Sequence, residues 1–215
     1  HEIIIAGTEV ISTKVMDQAS NIKFISRVGI GLDGIDLLEA KRRGIAISYT
    51  PEAPAPAVAE LTMCLMLALL RSVHVSNAQM HRGEWNRIQG RRIAEVTVGI
   101  IGAGRIGARV LRRIKPFGTP RILVNDIMPN LELGQAAKIE WVPKEQIYRE
   151  ADIISLHLPL TRLTQNMIGS KQLQSMKPDA MIINTSRGGI INEDALYEVL
   201  ISGHLGGAAL DVYST

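Results

Sequence analysis

The chain has 215 residues, of which 46% are hydrophobic, and its 24 basic and 21 acidic residues give a formal net charge of +3. This small charge excludes a dedicated nucleic-acid binder, and the apolar content excludes a disordered or fibrous chain. The single cysteine, Cys64, excludes an internal disulfide framework and a cysteine-based zinc cage, as is typical of cytoplasmic proteins. The longest apolar run, residues 61–70, is too short to span a bilayer, so we expect no membrane anchor. We also expect no metal site.

The first 50 residues predict a small α/β unit. Its predicted elements are three strands and two helices, at residues 2–6, 13–19, 22–28, 36–43 and 46–49. These elements bury too little surface for an independent domain, so we interpret residues 1–52 as part of a smaller substrate-binding domain. The chain starts with His1 rather than Met, from which we expect that the start of the protein is missing.

A proline-rich connector follows, and a long apolar helix comes after it. Three prolines within residues 51–56 forbid a helix interior, which predicts a domain boundary between residues 52 and 53. Residues 57–81 predict one strong helix whose first half is apolar nearly all round. One domain cannot cover so many apolar faces, so we expect this helix to form part of a homodimer interface.

The remainder, residues 53–215, predicts a doubly wound α/β domain with a parallel sheet. Short apolar runs alternate with longer amphipathic segments, which is typical of βαβ units. The six predicted strands are residues 96–102, 121–126, 139–142, 152–158, 180–186 and 207–213. Asn192 is predicted to open a helix in this region and Gly203 to end it.

A glycine motif follows the first of these strands. The motif has the glycine spacing of a dinucleotide-binding turn, with Gly102, Gly104 and Gly107. The first glycine allows a tight turn, the second lets the backbone approach a pyrophosphate closely, and the third lets the following helix pack closely on the strand. The helix that begins near Arg105 would direct its N-terminal N–H groups at the phosphates. Asp126 ends the next strand, where a carboxylate can accept hydrogen bonds from the adenosine ribose and repel a 2′-phosphate. The sequence therefore predicts a Rossmann site for NAD rather than NADP.

Several further motifs together resemble those of the D-isomer-specific 2-hydroxyacid dehydrogenases, the family that includes 3-phosphoglycerate dehydrogenase. The resemblance runs essentially end to end. The motifs that carry it, besides the glycine motif, are RVGIGLDGID at 27–36, AELT at 59–62, GEW at 83–85, HLPL at 157–160, NTSRGG at 184–189 and GHLGGAALDV at 203–212. The family resemblance implies a Rossmann domain joined to a smaller flavodoxin-like domain. It also implies hydride transfer between NAD(H) and a D-2-hydroxy acid or 2-oxo acid.

The resemblance also implies roles for individual residues. Gly29, Ile30 and Gly31 would hold the substrate carboxylate with backbone N–H groups. Arg187 would be the catalytic residue that grips this carboxylate and polarises the 2-oxo group. The implied cofactor-binding residues are Gly102, Gly104, Arg105, Ile106, Gly107, Asp126, Leu158, Pro159, Thr185, Ser186, Arg187 and Asp211.

Two features of the sequence keep alternatives open. None of the five histidines occupies the family's catalytic position, so we expect the catalytic acid and histidine to lie beyond Thr215, with His157 as the next candidate. Phosphoglycerate dehydrogenases often have an Arg after the first strand, where this chain has Ala6-Gly7-Thr8-Glu9. An NAD-sensing corepressor-like module and a formate-type dehydrogenase remain alternatives, whereas Gly29-Ile30-Gly31 lacks the Lys expected of a phosphite dehydrogenase.

Overall fold

A computed structural model describes residues 1–118, 120–130 and 139–214. The chain divides into two compact units, His1–Ala57 and Val58–Thr215. The division lies five residues after the predicted boundary, within the first turn of a helix that begins at Ala55.

The first unit has a three-stranded parallel sheet with strand order β1-β2-β3. Its strands and helices are β1 (Ile3–Ala6), α1 (Thr13–Gln18), β2 (Phe24–Arg27), α2 (Leu37–Arg42) and β3 (Ala46–Tyr49). The helices bury Met16 and Ala40 in one apolar cluster with Ile25 of the central strand. Side chains of β1 alternate, and Ile3 and Ile5 are 62% and 75% exposed. One face of this sheet therefore carries the core of the unit.

The second unit contains a six-stranded parallel sheet with strand order β6-β5-β4-β7-β8-β9. Its elements are α3 (Ala55–Leu70), α4 (Val73–His81), β4 (Thr97–Ile101), α5 (Arg105–Ile114), β5 (Arg121–Asn125), β6 (Ile139–Trp141), α6 (Lys144–Glu150), β7 (Ile153–Leu156), α7 (Ser170–Gln174), β8 (Met181–Asn184), α8 (Glu193–Ile201) and β9 (Gly207–Leu210). The strand order reverses between β4 and β7. Doubly wound sheets bind ligands at this switch point, outside the carboxyl ends of the strands. The predicted fold class and all six predicted strands are confirmed.

Both faces of the larger sheet are covered. Neighbouring residues of β7 point to opposite sides, because Ile153 belongs to a cluster with Met66 and Ile154 to a cluster with Leu173. Every residue of β7 is buried. This two-sided burial explains why these strands are continuous apolar runs rather than alternating patterns.

The single helix predicted over residues 57–81 is wrong, since α3 and α4 are separate. Ser72 adopts a left-handed conformation with φ of 51°, and the Arg91 N–H donates to the Leu70 carbonyl over 2.8 Å. This tertiary hydrogen bond satisfies a carbonyl at the end of α3 and replaces the next helical turn. Among the described residues, no single helix is long and apolar enough to cross a membrane, and only α3 and α4 together, bent by 67°, reach the required length.

Candidate functional site: the carboxyl edge of the larger sheet

The glycine-rich turn after β4 is shaped by close backbone contacts. Gly102 has φ of +96°, and a Cβ there would lie 2.3 Å from the His157 carbonyl oxygen. A Cβ at Gly107 would lie 2.0 Å from the Gly102 carbonyl oxygen, so α5 packs directly on the turn. Gly104 differs, because a Cβ there would meet no atom within 4 Å. The turn thus leaves open space beside Gly104, at the N-terminus of α5, where a pyrophosphate needs close access to the backbone.

Asp126 lies beside this turn at the end of β5. One carboxylate oxygen accepts the Ala103 N–H over 2.7 Å, and the other accepts the Met128 N–H over 2.9 Å. A carboxylate has about four lone-pair sites, so both oxygens keep acceptor capacity for a ribose diol. Asp126 therefore fixes the glycine-rich turn and also offers the negative charge that the sequence predicts.

A hydrogen-bonded turn after β8 carries Arg187. The Asn184 side-chain amide donates to the Arg187 carbonyl over 2.8 Å, and its oxygen accepts both the backbone N–H and the hydroxyl of Ser186. Arg187 donates from its guanidinium to the Ser186 carbonyl over 2.7 Å. The Ser186 hydroxyl thus has a structural partner, and Asn184, which the sequence analysis gave no role, builds the turn.

The remaining predicted cofactor residues occupy the same edge. Leu158 is half-buried and contributes to one core cluster, whereas Pro159 is exposed. The Asp211 N–H donates to the Asn184 carbonyl over 3.0 Å, which places Asp211 beside the end of β8. Ile106 packs against the other core cluster, and Arg105 is exposed at the first position of α5. The sheet therefore brings together at one edge the predicted residues that follow β4, β5, β7, β8 and β9.

Thr185 has a buried partner that the sequence analysis did not identify. Its hydroxyl oxygen lies 2.9 Å from that of Thr62 on α3, and both residues are buried. The signals in the sequence were the motif AELT, which ends at Thr62, and the presence of this one hydroxyl inside the apolar run of α3. Nothing in that run indicates which strand the hydroxyl would meet.

His157 follows β7 and has an unusual environment. Its Nε2 lies 3.0 Å from the Ser155 hydroxyl, whereas its buried Nδ1 has no hydrogen-bond partner. Burial lowers the pKa of His157 to about 4. The ring is therefore neutral at pH 7, which makes His157 a poor proton donor there.

The predicted carboxylate loop lies in the first unit. The Gly29 N–H donates to the Thr50 hydroxyl over 2.8 Å, so this N–H already has a partner. Gly29 is buried, and Ile30 and Gly31 are half-buried. The described geometry leaves the Ile30 and Gly31 amides as the more suitable anion donors of the three.

The residues at the edge of the larger sheet fit a dinucleotide. The space beside Gly104 suits the pyrophosphate, and Asp126 suits the adenosine ribose. Thr185 and Asp211 lie on neighbouring strand ends, where they would face the nicotinamide half. Among the described residues, no group of three or more His, Cys, Asp or Glu side chains could hold a metal ion.

Comparison with known proteins identifies the family of this chain. The sequence profile of the D-isomer specific 2-hydroxyacid dehydrogenase, NAD binding domain, matches residues 63–215. A hydroxypyruvate reductase of Thermotoga maritima is 38% identical over 213 residues, covering 98% of this chain and 68% of the relative. A D-3-phosphoglycerate dehydrogenase of Methanocaldococcus jannaschii is 41% identical over 214 residues, covering 98% of this chain but 40% of the relative.

A solved structure shares both units. The D-lactate dehydrogenase of Aquifex aeolicus, in complex with NAD and lactic acid, superposes with a TM-score of 0.90 at 29% identity, covering 99% of this chain and 65% of that one. The chain thus spans between two fifths and about two thirds of the lengths of these proteins. The chain belongs to the D-isomer-specific 2-hydroxyacid dehydrogenase family, and its larger unit is the family's NAD-binding domain.

Proposed function

We propose that the protein containing this chain is an NAD-dependent oxidoreductase that interconverts 2-oxo acids and D-2-hydroxy acids. The observation that carries this proposal is the turn after β8. Asn184 fixes the Arg187 backbone there, at the same sheet edge as the glycine-rich turn and Asp126. A cation held beside a dinucleotide site suits a small anionic substrate that exchanges a hydride with the cofactor.

Arg187 binds and polarises the substrate in this proposal. The glycine-rich turn and Asp126 would hold the cofactor, which would supply a hydride to C2 of the oxo acid or accept one from the hydroxy acid. The planar guanidinium of Arg187 can hold the carboxylate with two N–H groups and stabilise the charge that develops on the 2-oxo oxygen. It keeps its own proton, and His157 is neutral at pH 7 because burial holds its pKa near 4. The proton that the 2-oxo oxygen gains when the hydride reaches C2 therefore comes from a general acid other than these two residues, which takes it back in the reverse direction.

Replacement of Arg187 by Lys tests the assignment in the full-length protein. A lysine ammonium keeps the charge but loses the two-pronged geometry, so kcat/KM for a 2-oxo acid should fall by about 100-fold. Arg149→Lys, at an exposed position of α6, is the matched control and should leave kcat/KM unchanged. Steady-state kinetics with NADH and a panel of 2-oxo acids, and with NAD+ and formate, also separate this activity from a formate-type enzyme. Full activity of the Arg187→Lys variant would contradict the assignment.

Asp126 provides the preference for NAD over NADP. Its carboxylate repels a 2′-phosphate, and residues 127–129 include no Arg that would attract one. Asp126→Asn removes the charge but retains an oxygen for the Ala103 N–H, so the ratio of the NADP+ to the NAD+ dissociation constant should fall by about tenfold. Titration calorimetry measures both constants. Equal affinity of the unmodified protein for NAD+ and NADP+ would contradict the role of Asp126.

Glu9 favours substrates without a phosphate group. Its carboxylate accepts the Gly7 N–H over 2.5 Å, and hydrogen bonds from its own backbone and that of Gly7 lower the pKa of Glu9. Glu9 is therefore negative at neutral pH. Phosphoglycerate dehydrogenases often have an Arg in this segment after the first strand. A negative Glu9 suits glyoxylate and hydroxypyruvate, the substrates named for relatives of this chain, better than 3-phosphohydroxypyruvate. A higher kcat/KM for the phosphorylated acid would contradict this preference.

The protein forms a homodimer through α3 and α4. Leu61 and Cys64 are exposed on α3, and α4 has no buried residue. Val73 and Met80 of α4 are 54% and 61% exposed. Sedimentation at micromolar concentration should give the dimer mass, and Met80→Glu should shift the equilibrium toward monomer by placing a charge in the apolar contact. A monomeric wild-type protein would contradict the proposal.

The cytoplasm suits this function. Cys64 is a free thiol, which a reducing compartment preserves, and NAD-linked oxidation of small acids draws on the intracellular nucleotide pool. Fractionation of cells that express the tagged full-length protein should recover it with cytoplasmic markers. Recovery with exported proteins would contradict this location.

A further inference from the structure

A buried pair of hydroxyl groups, Thr62 and Thr185, joins α3 to the end of β8. The two Oγ1 atoms are 2.9 Å apart, and the residues are 0% and 5% exposed. Thr62 Oγ1 also lies 2.8 Å from the carbonyl oxygen of Val58, one turn earlier in α3. Both residues lie within the larger unit. A side chain of α3 thus touches a residue predicted to line the nicotinamide half of the site.

The direction of each hydrogen bond follows from counting protons. A carbonyl oxygen only accepts, so Thr62 must donate its one hydroxyl proton to Val58. Thr62 then has no proton left for Thr185, and Thr185 must donate to Thr62. With its proton committed in this way, the Thr185 oxygen has only lone pairs to offer a ligand.

We propose that Thr62 is a positioning residue that makes the Thr185 hydroxyl a hydrogen-bond acceptor. The Thr185 oxygen then accepts from the N–H₂ group of the nicotinamide carboxamide and selects the carboxamide orientation that presents this group. This inference rests on the proposed NAD function. The nicotinamide carboxamide has an N–H₂ donor on one side and a carbonyl acceptor on the other. Asp211, at the end of the neighbouring strand β9, has a second acceptor group. An acceptor-only Thr185 fits the N–H₂ group, so the carboxamide orientation that would turn its carbonyl toward Thr185 is disfavoured.

Thr62→Val tests this inference because valine has nearly the same shape but no hydroxyl. The Thr185 proton then loses its buried acceptor and turns toward the ligand, where it opposes the carboxamide N–H₂. The dissociation constant of NAD+ should rise about tenfold, since a buried unsatisfied donor costs roughly this factor. ADP-ribose, which lacks the nicotinamide ring, should bind as before, and so should 3-acetylpyridine adenine dinucleotide, whose methyl ketone offers no N–H. Titration calorimetry on the full-length protein measures all three ligands.

Three further variants separate positioning from structural support. Thr62→Ser keeps the hydroxyl and should restore NAD+ affinity to within twofold of wild type. Thr185→Val should weaken NAD+ binding by itself, and adding Thr62→Val to it should cause no further loss, because the two residues act through one hydrogen bond. If Thr62→Val does not fold, Thr62→Ala removes the same acceptor and undergoes the same three titrations.

The outcomes are distinguishable. Weaker NAD+ binding with unchanged ADP-ribose binding supports the inference. An equal loss for both ligands would show that Thr62 only supports the fold, and no loss for either would show that Thr185 does not act through Thr62. Either of these last two results overturns the inference but leaves the NAD site intact. A wild-type protein that binds neither NAD+ nor ADP-ribose would overturn the proposed function, and the inference with it.

Discussion

The two units of this chain use parallel strands in different ways. In the larger unit, β7 is buried at every position, and apolar clusters cover both faces of the sheet. In the smaller unit, β1 alternates between buried and exposed side chains, and a single cluster forms the core. An apolar strand residue therefore contributes more to the free energy of unfolding in the larger unit than in the smaller one. The reason is that both faces of the larger sheet are buried, so every side chain of the strand is removed from water.

The largest test of this difference compares two isoleucines in strands. Ile154→Ala in β7 removes a fully buried side chain and should reduce the free energy of unfolding by about 3 kcal/mol. Ile5→Ala in β1 removes a side chain that is 75% exposed and should change it by less than about 0.5 kcal/mol. Urea denaturation monitored by circular dichroism measures both values. A comparable loss for Ile5→Ala would show that this face of the smaller sheet is covered in the full-length protein.

A second test asks how tightly the edge of the larger sheet is packed. Gly107→Ala places a methyl group against the Gly102 carbonyl and should lower the free energy of unfolding by about 2 kcal/mol as the turn shifts. Gly104→Ala places the methyl in open space, so stability should change by less than about 0.5 kcal/mol while NAD+ affinity falls. Thermal melts and NAD+ titrations distinguish the two effects. If Gly107→Ala is as stable as wild type, the packing described for the turn is wrong.

The smallest of the three effects concerns a carboxylate in each unit. Asp152, just before β7, accepts from Lys177 over 2.6 Å, Arg91 over 2.8 Å and the Thr97 N–H over 2.7 Å. Although burial by itself would raise its pKa, these donors outweigh burial and hold the pKa of Asp152 below its usual 3.8. Asp152→Asn should therefore reduce the free energy of unfolding by about 1.5 kcal/mol at pH 7.

The pH dependence gives the sign of this contribution. Because the folded pKa of Asp152 lies below the unfolded value, its stabilisation is present above about pH 4 and is lost as the pH falls through the folded pKa. Asp36 is half-buried and caps α2 of the smaller unit, and Asp36→Asn is the matched control with a smaller expected loss. Denaturation curves between pH 2 and 7 test both variants. An acid transition that is unchanged in Asp152→Asn would contradict this account.

Local signals were sufficient for most elements of the fold. The glycine spacing predicted the turn after β4, and the alternation of apolar runs with amphipathic segments predicted the parallel sheet. Asn192 begins α8 as its N-cap, accepting the Ala195 N–H over 2.8 Å, and Gly203 follows the helix with φ of +74°, as predicted. These features depend on residues close together in the chain, so a pattern of neighbours is enough to predict them.

Other features depended on contacts that neighbours cannot reveal. No glycine or proline marks the end of α3, which is set by the Arg91 N–H, 21 residues beyond the Leu70 carbonyl. The ends of the strands also differ, since β7 and β8 stop two residues before the predicted Leu158 and Ser186. At the end of β8 the hydrogen bonds of Asn184 turn the chain. The sequence shows that a polar side chain follows an apolar run, but it does not show which groups that side chain will bind.

The sequence by itself determined the family, the parallel sheet and the position of the dinucleotide turn, because each follows from local periodicity and from short motifs whose backbone needs glycine. Tertiary structure decided what these motifs do beyond their own segment. In the folded chain Thr62 contacts Thr185, which is 123 residues away, and Asp126 accepts the Ala103 N–H. Burial next to the glycine-rich turn keeps His157 neutral. The physical reason is that hydrogen-bond direction and desolvation depend on which groups meet in space, and many pairings are compatible with the same apolar pattern.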